Sequence, residues 1–228
     1  MVEFQDVSKY YEDCAAIEHM TFSIPDGDFV FLVGKTGTGK STILKLLSKQ
    51  IEPSSGEITV FQLNIGSLQR KSLPYYRRLL GVIDAKTELL EDRNVFDNLA
   101  LAMFVVGADE KEVGETVPRA LGLVGMERKM YQFPETLSGG ERLKVHIARA
   151  LINNPKMILA DEPTANLDYD SAWDIMRLFD EINQLGITVV ISTHAQEFVD
   201  LMKKRVITLR NSRVHSDIDF NAKRPFRF

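Results

Sequence analysis

Eight residues, Gly34-Lys35-Thr36-Gly37-Thr38-Gly39-Lys40-Ser41, follow the pattern of a phosphate-binding loop: two glycines five apart, then a lysine and a hydroxyl residue. A polyphosphate carries several negative charges. Cradling it takes backbone N–H groups that turn inward and approach closely, which glycine permits. The flanks are right for the task. The apolar run Phe29–Val33 before the loop reads as a buried strand. Residues 41–49 after it carry Ile43, Leu44, Leu46 and Leu47 on one side of a helix. The start of that helix adds free N–H groups and the positive end of its dipole. Lys40 is placed to reach the β- and γ-phosphates, Ser41 to offer its hydroxyl to Mg²⁺, and Thr42 follows in the same turn.

The second chemistry-bearing pair is Asp161-Glu162, which with Pro163 ends the apolar run 157–160. A strand ending in two carboxylates supplies the other half of such a site. Asp161 is expected to hold Mg²⁺, directly or through water, together with Ser41. Glu162 is then placed to polarise an attacking water, general-base help worth roughly 10²–10⁴-fold. A second glycine pair lies in Leu137-Ser138-Gly139-Gly140-Glu141, at the head of a helix over 141–153. Ser138 and Glu141 have capping-box spacing, which accounts for those two residues. The glycines add close backbone approach to an anion at a helix N-terminus.

Strands and helices in alternation have to position these groups. Residues 2–4, 20–24 and 57–60 read as short strands, and Asp26-Gly27 as a turn. Residues 67–134 change character: they are richer in charge and mostly helical, over 94–106 and 112–123, and read as an insertion or small subdomain. The α/β rhythm then returns, with helices over 141–153, 171–184 and 196–203 and strands over 157–160, 188–192 and 205–209, followed by a polar tail. This order predicts an α/β fold of three layers around a mainly parallel sheet.

Bulk properties narrow the function classes. The 228 residues are 44% hydrophobic and 26% charged, which argues against disorder, and a net charge of −4 gives no support to nucleic acid as the main partner. The single cysteine, Cys14, allows no internal disulfide and fits a reducing compartment. The acidic N-terminus lacks the apolar stretch of a signal peptide, and no run of 18 apolar residues occurs, so a role at a membrane would require another subunit.

The phosphate loop, the acidic strand end and the Ser138-Gly139-Gly140 loop together resemble the ABC ATPases, and the resemblance runs over nearly the whole chain. It implies an ATP- and Mg²⁺-dependent ATPase of the P-loop class in one cassette domain, residues 1–228. That domain would have an N-terminal antiparallel β region and a helical subdomain at about 86–150. It implies that two copies sandwich two ATPs head to tail, with Ser138, Gly139 and Gly140 covering the γ-phosphate held by the other copy. Tyr11 lies where the family places an aromatic on adenine, with Tyr10 as the alternative. Ala165-Asn166-Leu167-Asp168 resembles the loop along the dimer seam, and His194 the switch histidine that contacts the γ-phosphate, which makes it a catalytic candidate beside the base Glu162. His19, His146 and His215 have no such context and receive no role.

The stretch from Glu91 to Ala100 (EDRNVFDNLA) and Val7-Ser8-Lys9-Tyr10-Tyr11 are similar to the cell-division branch of the family, the FtsE ATPases. That likeness implies an FtsX-like integral membrane subunit as partner and control of cell-wall hydrolases. It also implies a peripheral position on the cytoplasmic face of the bacterial inner membrane. Lipoprotein-release and macrolide-export ATPases share the layout. One departure stands out: Ala85 occupies the position of a family glutamine that reaches Mg²⁺ and the water and links to the membrane subunit. The departure implies slow basal hydrolysis or altered coupling, and it keeps open an ATP-gated binding module with little hydrolysis. Lys144 stands where relatives often have Arg, keeping the charge without the fork. Residues 211–228 end in a basic, aromatic run and read as a frayed terminus or a weak membrane or partner contact.

Overall fold

The chain's computed structural model describes residues 1–12, 14–84 and 88–220. Its scaffold is a six-stranded sheet. In chain order the elements are β1 (Val2–Tyr11), β2 (Cys14–Ile24), β3 (Phe29–Val33), α1 (Lys40–Leu47), β4 (Ser55–Val60), β5 (Leu63–Asn64), α2 (Leu73–Arg78) and β6 (Leu80–Ile83). There follow α3 (Val95–Phe104), α4 (Glu110–Leu123), α5 (Gly139–Leu151), β7 (Met157–Asp161), α6 (Tyr169–Gln184), β8 (Thr188–Thr193), α7 (Gln196–Met202), β9 (Arg205–Arg210) and β10 (Arg213–Ile218).

The large sheet has the order β10-β9-β3-β8-β7-β6. Its β9-β3-β8-β7-β6 portion is parallel, and β10 closes the edge antiparallel to β9. Strands buried on both faces read as continuous apolar runs, and these do. Val30, Leu32, Leu159, Val190 and Ile207 face one core with α1 and the antiparallel sheet β2-β1-β4-β5. Phe29, Phe31, Ile158, Ala160, Val189 and Ile191 face the opposite core, which they share with α3, α4, α5 and α6. Each fully buried apolar side chain contributes about 1.5–3 kcal/mol relative to exposure, so the sheet is the rigid base from which the site loops project.

The helices over the second core start where short polar residues cap them. Asn94 Oδ1 accepts from the Asp97 N–H, and Asp109 Oδ1 from the Glu112 N–H. Gly81 on β6 lets α5 lie close: a Cβ there would fall 2.8 Å from the Ala150 carbonyl oxygen and 2.4 Å from Ile158 Cδ1.

Several strands run further than apolar patterning predicts. β1 and β2 extend to Tyr11 and Cys14 because backbone pairing continues across the hairpin, Lys9 opposite Ile17, Tyr10 opposite Ala15 and Tyr11 opposite Cys14, with register shifts between Phe4 and Tyr10. The tail reading is corrected over 213–218. These residues are a strand paired to β9, tied down further by the two Arg205 contacts to Asp217, and are not a frayed end. Residues 221–228 lie outside the described residues, as do Ala85 and Lys86 of the glutamine-position reading.

Candidate nucleotide-binding site

The loop between β3 and α1 holds Gly37 at φ 83° and Gly39 at φ 100°, a region that L side chains rarely adopt. Thr38 closes the turn, donating from its N–H and its hydroxyl to the Lys35 carbonyl, at 3.2 and 2.8 Å. Lys40 opens α1 and its side chain is buried. Its Nζ donates to the Gly34 carbonyl at 2.8 Å and the Lys35 carbonyl at 3.4 Å, and lies 3.5 Å from Glu162 Oε1. The ammonium is therefore fixed over the loop by the loop's own backbone.

The parallel register sets β7 beside β8, so that Asp161 pairs with Ser192 across the two strands. Asp161 Oδ1 accepts from the Ser41 hydroxyl at 3.0 Å and from the Ser192 hydroxyl. Glu162 follows at φ 48°, left-handed for a residue with a side chain. Its N–H donates to the Ser192 carbonyl at 3.0 Å and the Ser192 hydroxyl at 3.1 Å, which holds the strained turn in place. That turn aims the Glu162 carboxylate at His194, whose Nδ1 is 2.8 Å from Oε2.

A cavity of about 420 Å³ collects Ala16, Thr36, Gly37, Gly39, Lys40, Ser41, Thr42, Glu162 and His194. Gly34 and Lys35 contribute the carbonyls that orient Lys40, and Asp161 reaches the cavity through Ser41. Tyr11 and Tyr10 stand outside it. Both are partly exposed at the end of β1, and Lys9 Nζ lies 5.4 Å from the Tyr11 ring.

Ser138, Gly139 and Gly140 are also outside this cavity. Ser138 caps α5 in a complete capping box with Glu141, whose carboxyl is held below its usual range by the Lys129 ammonium and the Ser138 N–H. Gly139 lines a separate cavity of about 300 Å³ with Asp84, Arg142, His146, Asp161 and Glu162. Asp168, from the seam-like loop, caps α6. Hydrogen bonds from Ser171 hold its carboxyl below the usual range.

Ser192 is a site neighbour that sequence reasoning missed, whereas Arg142 and His146, the latter given no role from sequence, line the separate cavity. Ser192 had a visible signal, since Ser192-Thr193-His194 ends a strand, but its grip on Asp161 and Glu162 exists only through strand pairing. His146 is pushed down to about 4, first by burial and then by the neighbouring Arg149 and Arg142.

Comparison with known proteins identifies the family. The ABC transporter family model matches residues 17–165. The chain belongs to the ABC transporter family. It is 38% identical over 218 residues to the cell division ATP-binding protein FtsE of Streptococcus pneumoniae, covering 95% of both chains. It is 39% identical over 218 residues to FtsE of Bacillus subtilis, covering 95% of this chain and 96% of that one. It is 39% identical over 219 residues to FtsE of Escherichia coli, covering 96% and 99%. Among solved structures it is similar to the ATP-binding cassette MJ0796, dimeric in a post-hydrolysis state with ADP and Pi, at TM-score 0.87 and 30% identity over 98% of this chain and all of that one. A second dimeric structure of the same bacterial cassette gives TM-score 0.88 and 29% identity, over 98% and 100%. This ABC ATPase thus resembles the FtsE proteins over nearly its full length, and no helix among its described residues is long and apolar enough to cross a membrane.

Proposed function

We propose that this ABC ATPase binds and hydrolyses ATP as the nucleotide-binding subunit of a cell-division membrane complex. One observation carries the reading: Lys40, the Ser41–Asp161 pair, Glu162 and His194 converge on a single glycine-lined cavity. In this reading residues 34–42 hold the phosphates, Lys40 matching charge and the loop N–H groups matching geometry. Tyr11 stacks on the base from outside the cavity. Ser41 and Asp161 are hard oxygen donors already 3.0 Å apart, a fit for Mg²⁺, which prefers oxygen ligands and keeps several waters. When bound, the metal neutralises charge on the β- and γ-oxygens.

Glu162 is the base for the attacking water, and His194 orients it from 2.8 Å. Lys40 Nζ, 3.5 Å from the other Glu162 oxygen, keeps this carboxylate in register with the phosphates. Two copies supply one complete site. Ser138, Gly139 and Gly140 lie away from this chain's own phosphate loop and serve the partner copy's ATP, which the dimeric relatives support. Residues 1–228 act as one cassette, with the helices after residue 86 carrying the Ser138 loop.

The membrane subunit is FtsX-like in this reading, and it holds the chain at the cytoplasmic face of the inner membrane. A cleft of about 910 Å³ between β6 and α3 supports this part of the reading. Leu73, Leu101 and Val105 supply apolar surface, and Arg77, Arg78 and Arg149 supply charge. The test is ATP turnover by the purified chain with Mg²⁺. Glu162→Gln is expected to abolish turnover while keeping ATP bound, and Lys40→Ala to lose both. Unaltered turnover in Glu162→Gln would remove the assigned base. Turnover no greater than that of Glu162→Gln in the unaltered chain would favour the ATP-gated binding module that Ala85 keeps open.

A further inference from the structure

The helix that begins with the Ser138 loop ends in the cleft, and one of its faces is clasped along its length by a single strap of chain. Ser138, Arg142, His146 and Arg149 are spaced four, four and three residues apart, one face of α5. From Gly139 to Arg149 that face spans about 15 Å. At one end Gly139 and Arg142 line the cavity that Asp161 and Glu162 also line. At the other His146 and Arg149 line the cleft.

The strap is residues 88–93. Glu88 and Leu90 line the cleft. Arg149 Nη1 donates to the Glu88 carbonyl at 3.1 Å. Arg142 binds Glu91 with both guanidinium nitrogens, Nη2 to Oε1 and Nη1 to Oε2, a fork that fixes direction as well as distance. The other side of the strap is fastened to α3. The buried Asn98 side chain accepts from the Leu90 N–H at 2.8 Å and donates to the Leu90, Arg93 and Asn94 carbonyls at 3.0–3.1 Å. Leu89 is buried in the core beneath. The Glu91–Arg142 pair and the Arg149–Glu88 hydrogen bond thus tie the strap to α5 at two points.

We propose that Glu91 and Arg142 are positioning residues: their ion pair fixes the bearing of α5 against the strap, and with it where Ser138 and Gly139 at the head of that helix point. The inference rests on the ATP-sandwich reading for its consequence, and on the strap geometry alone for its cause. Neither Glu91 nor Arg142 lines the glycine-lined cavity of the phosphate loop. Glu91 is held below the usual carboxylate range by the Arg142 hydrogen bond, so the pair stays charged across the working pH range.

The test uses three variants of the full chain: Glu91→Arg, Arg142→Glu and the exchanged double variant. Two measurements are made, ATP turnover against chain concentration and amide exchange of residues 88–93 without nucleotide. Each single variant is expected to need about three- to fivefold more chain for half-maximal turnover, the scale of a partly exposed ion pair. Its affinity for a fluorescent ATP analogue at low chain concentration stays within about twofold of the parent, because the phosphate loop is untouched. The strap amides exchange faster in both single variants, and the exchanged pair restores both readouts. Single variants that match the parent, or an exchanged pair no better than either single variant, would overturn the inference. Loss of analogue binding together with turnover would do the same, by showing general damage. Absence of nucleotide binding in the unaltered chain would instead sink the ATP reading, and the exchange data would still decide the strap.

Discussion

Gly37 and Gly39 sit two residues apart in the phosphate loop, both at positive φ, yet alanine should affect them very differently. Placing a Cβ at φ 83° or 100° costs about 1–2 kcal/mol from its approach to the neighbouring carbonyl. At Gly37 nothing lies within 4 Å of the new methyl, so this strain is the whole cost. At Gly39 the methyl would fall 2.5 Å from the Ala16 carbonyl oxygen and 2.4 Å from Ile17 Cγ2. Ile17 is β-branched and fully buried, and the Ala16 carbonyl belongs to paired β2, so neither gives way readily. The loop must then move by about 1 Å to reach ordinary contact, and such overpacking adds roughly 1–3 kcal/mol.

A chain of this size loses about 2–4 °C in Tm per kcal/mol. Gly37→Ala is therefore expected to melt about 2–8 °C lower and Gly39→Ala about 4–20 °C lower, with Gly39→Ala clearly the worse of the two. The functional gap should be wider than the thermal one. Gly39 is the residue before Lys40, and an ångström of misplacement is worth on the order of 10²-fold in rate. Differential scanning with and without Mg²⁺-ATP reads both effects. Gly37→Ala keeps its nucleotide-induced rise in Tm, and Gly39→Ala loses it. Equal melting losses, or a full nucleotide response in Gly39→Ala, would refute the contact with Ala16 as the reason for the second glycine.

Two further expectations follow from the same neighbourhood. His146 is depressed to about 4, below the 6.5 of an unfolded histidine, so its contribution to stability is complete above about pH 6.5 and is lost as pH falls toward 4. Allowing for its partly exposed edge, the effect is of order 2 kcal/mol, and urea midpoints at pH 7 and pH 5 should fall more in the parent than in His146→Gln; parallel falls would remove the assignment. Ser192→Ala removes the hydroxyl that serves both Asp161 and the Glu162 N–H, at about 1–2 kcal/mol of stability. It should also lower turnover about tenfold at unchanged ATP affinity, and a variant that turns over at the parent rate would show that Glu162 does not need this support.

The residues of the candidate phosphate site were legible in the chain because their constraints are local. A loop needing positive φ selects Gly37 and Gly39, the fixed spacing of the loop motif marks Lys40 and Ser41, and capping selects Ser138 with Glu141. Each is fixed within a few neighbours, so spacing alone carries the signal. The buried strands were legible for a similar reason, as apolar runs between turns. Strand ends and the edge strand β10 were not, because Arg213-Val214-His215-Ser216-Asp217-Ile218 is held by backbone pairing to β9 and by Arg205, not by apolar burial.

Only the folded chain decided how the parts meet. Parallel register put Ser192 beside Asp161, a left-handed turn at Glu162 aimed its carboxylate at His194, and packing of α5 on Gly81 set Arg142 against Glu91. These contacts join residues 30 to 69 positions apart, or depend on such contacts. Nothing in local spacing records them, because strand order and helix placement are set by how the two cores fill on either face of the sheet.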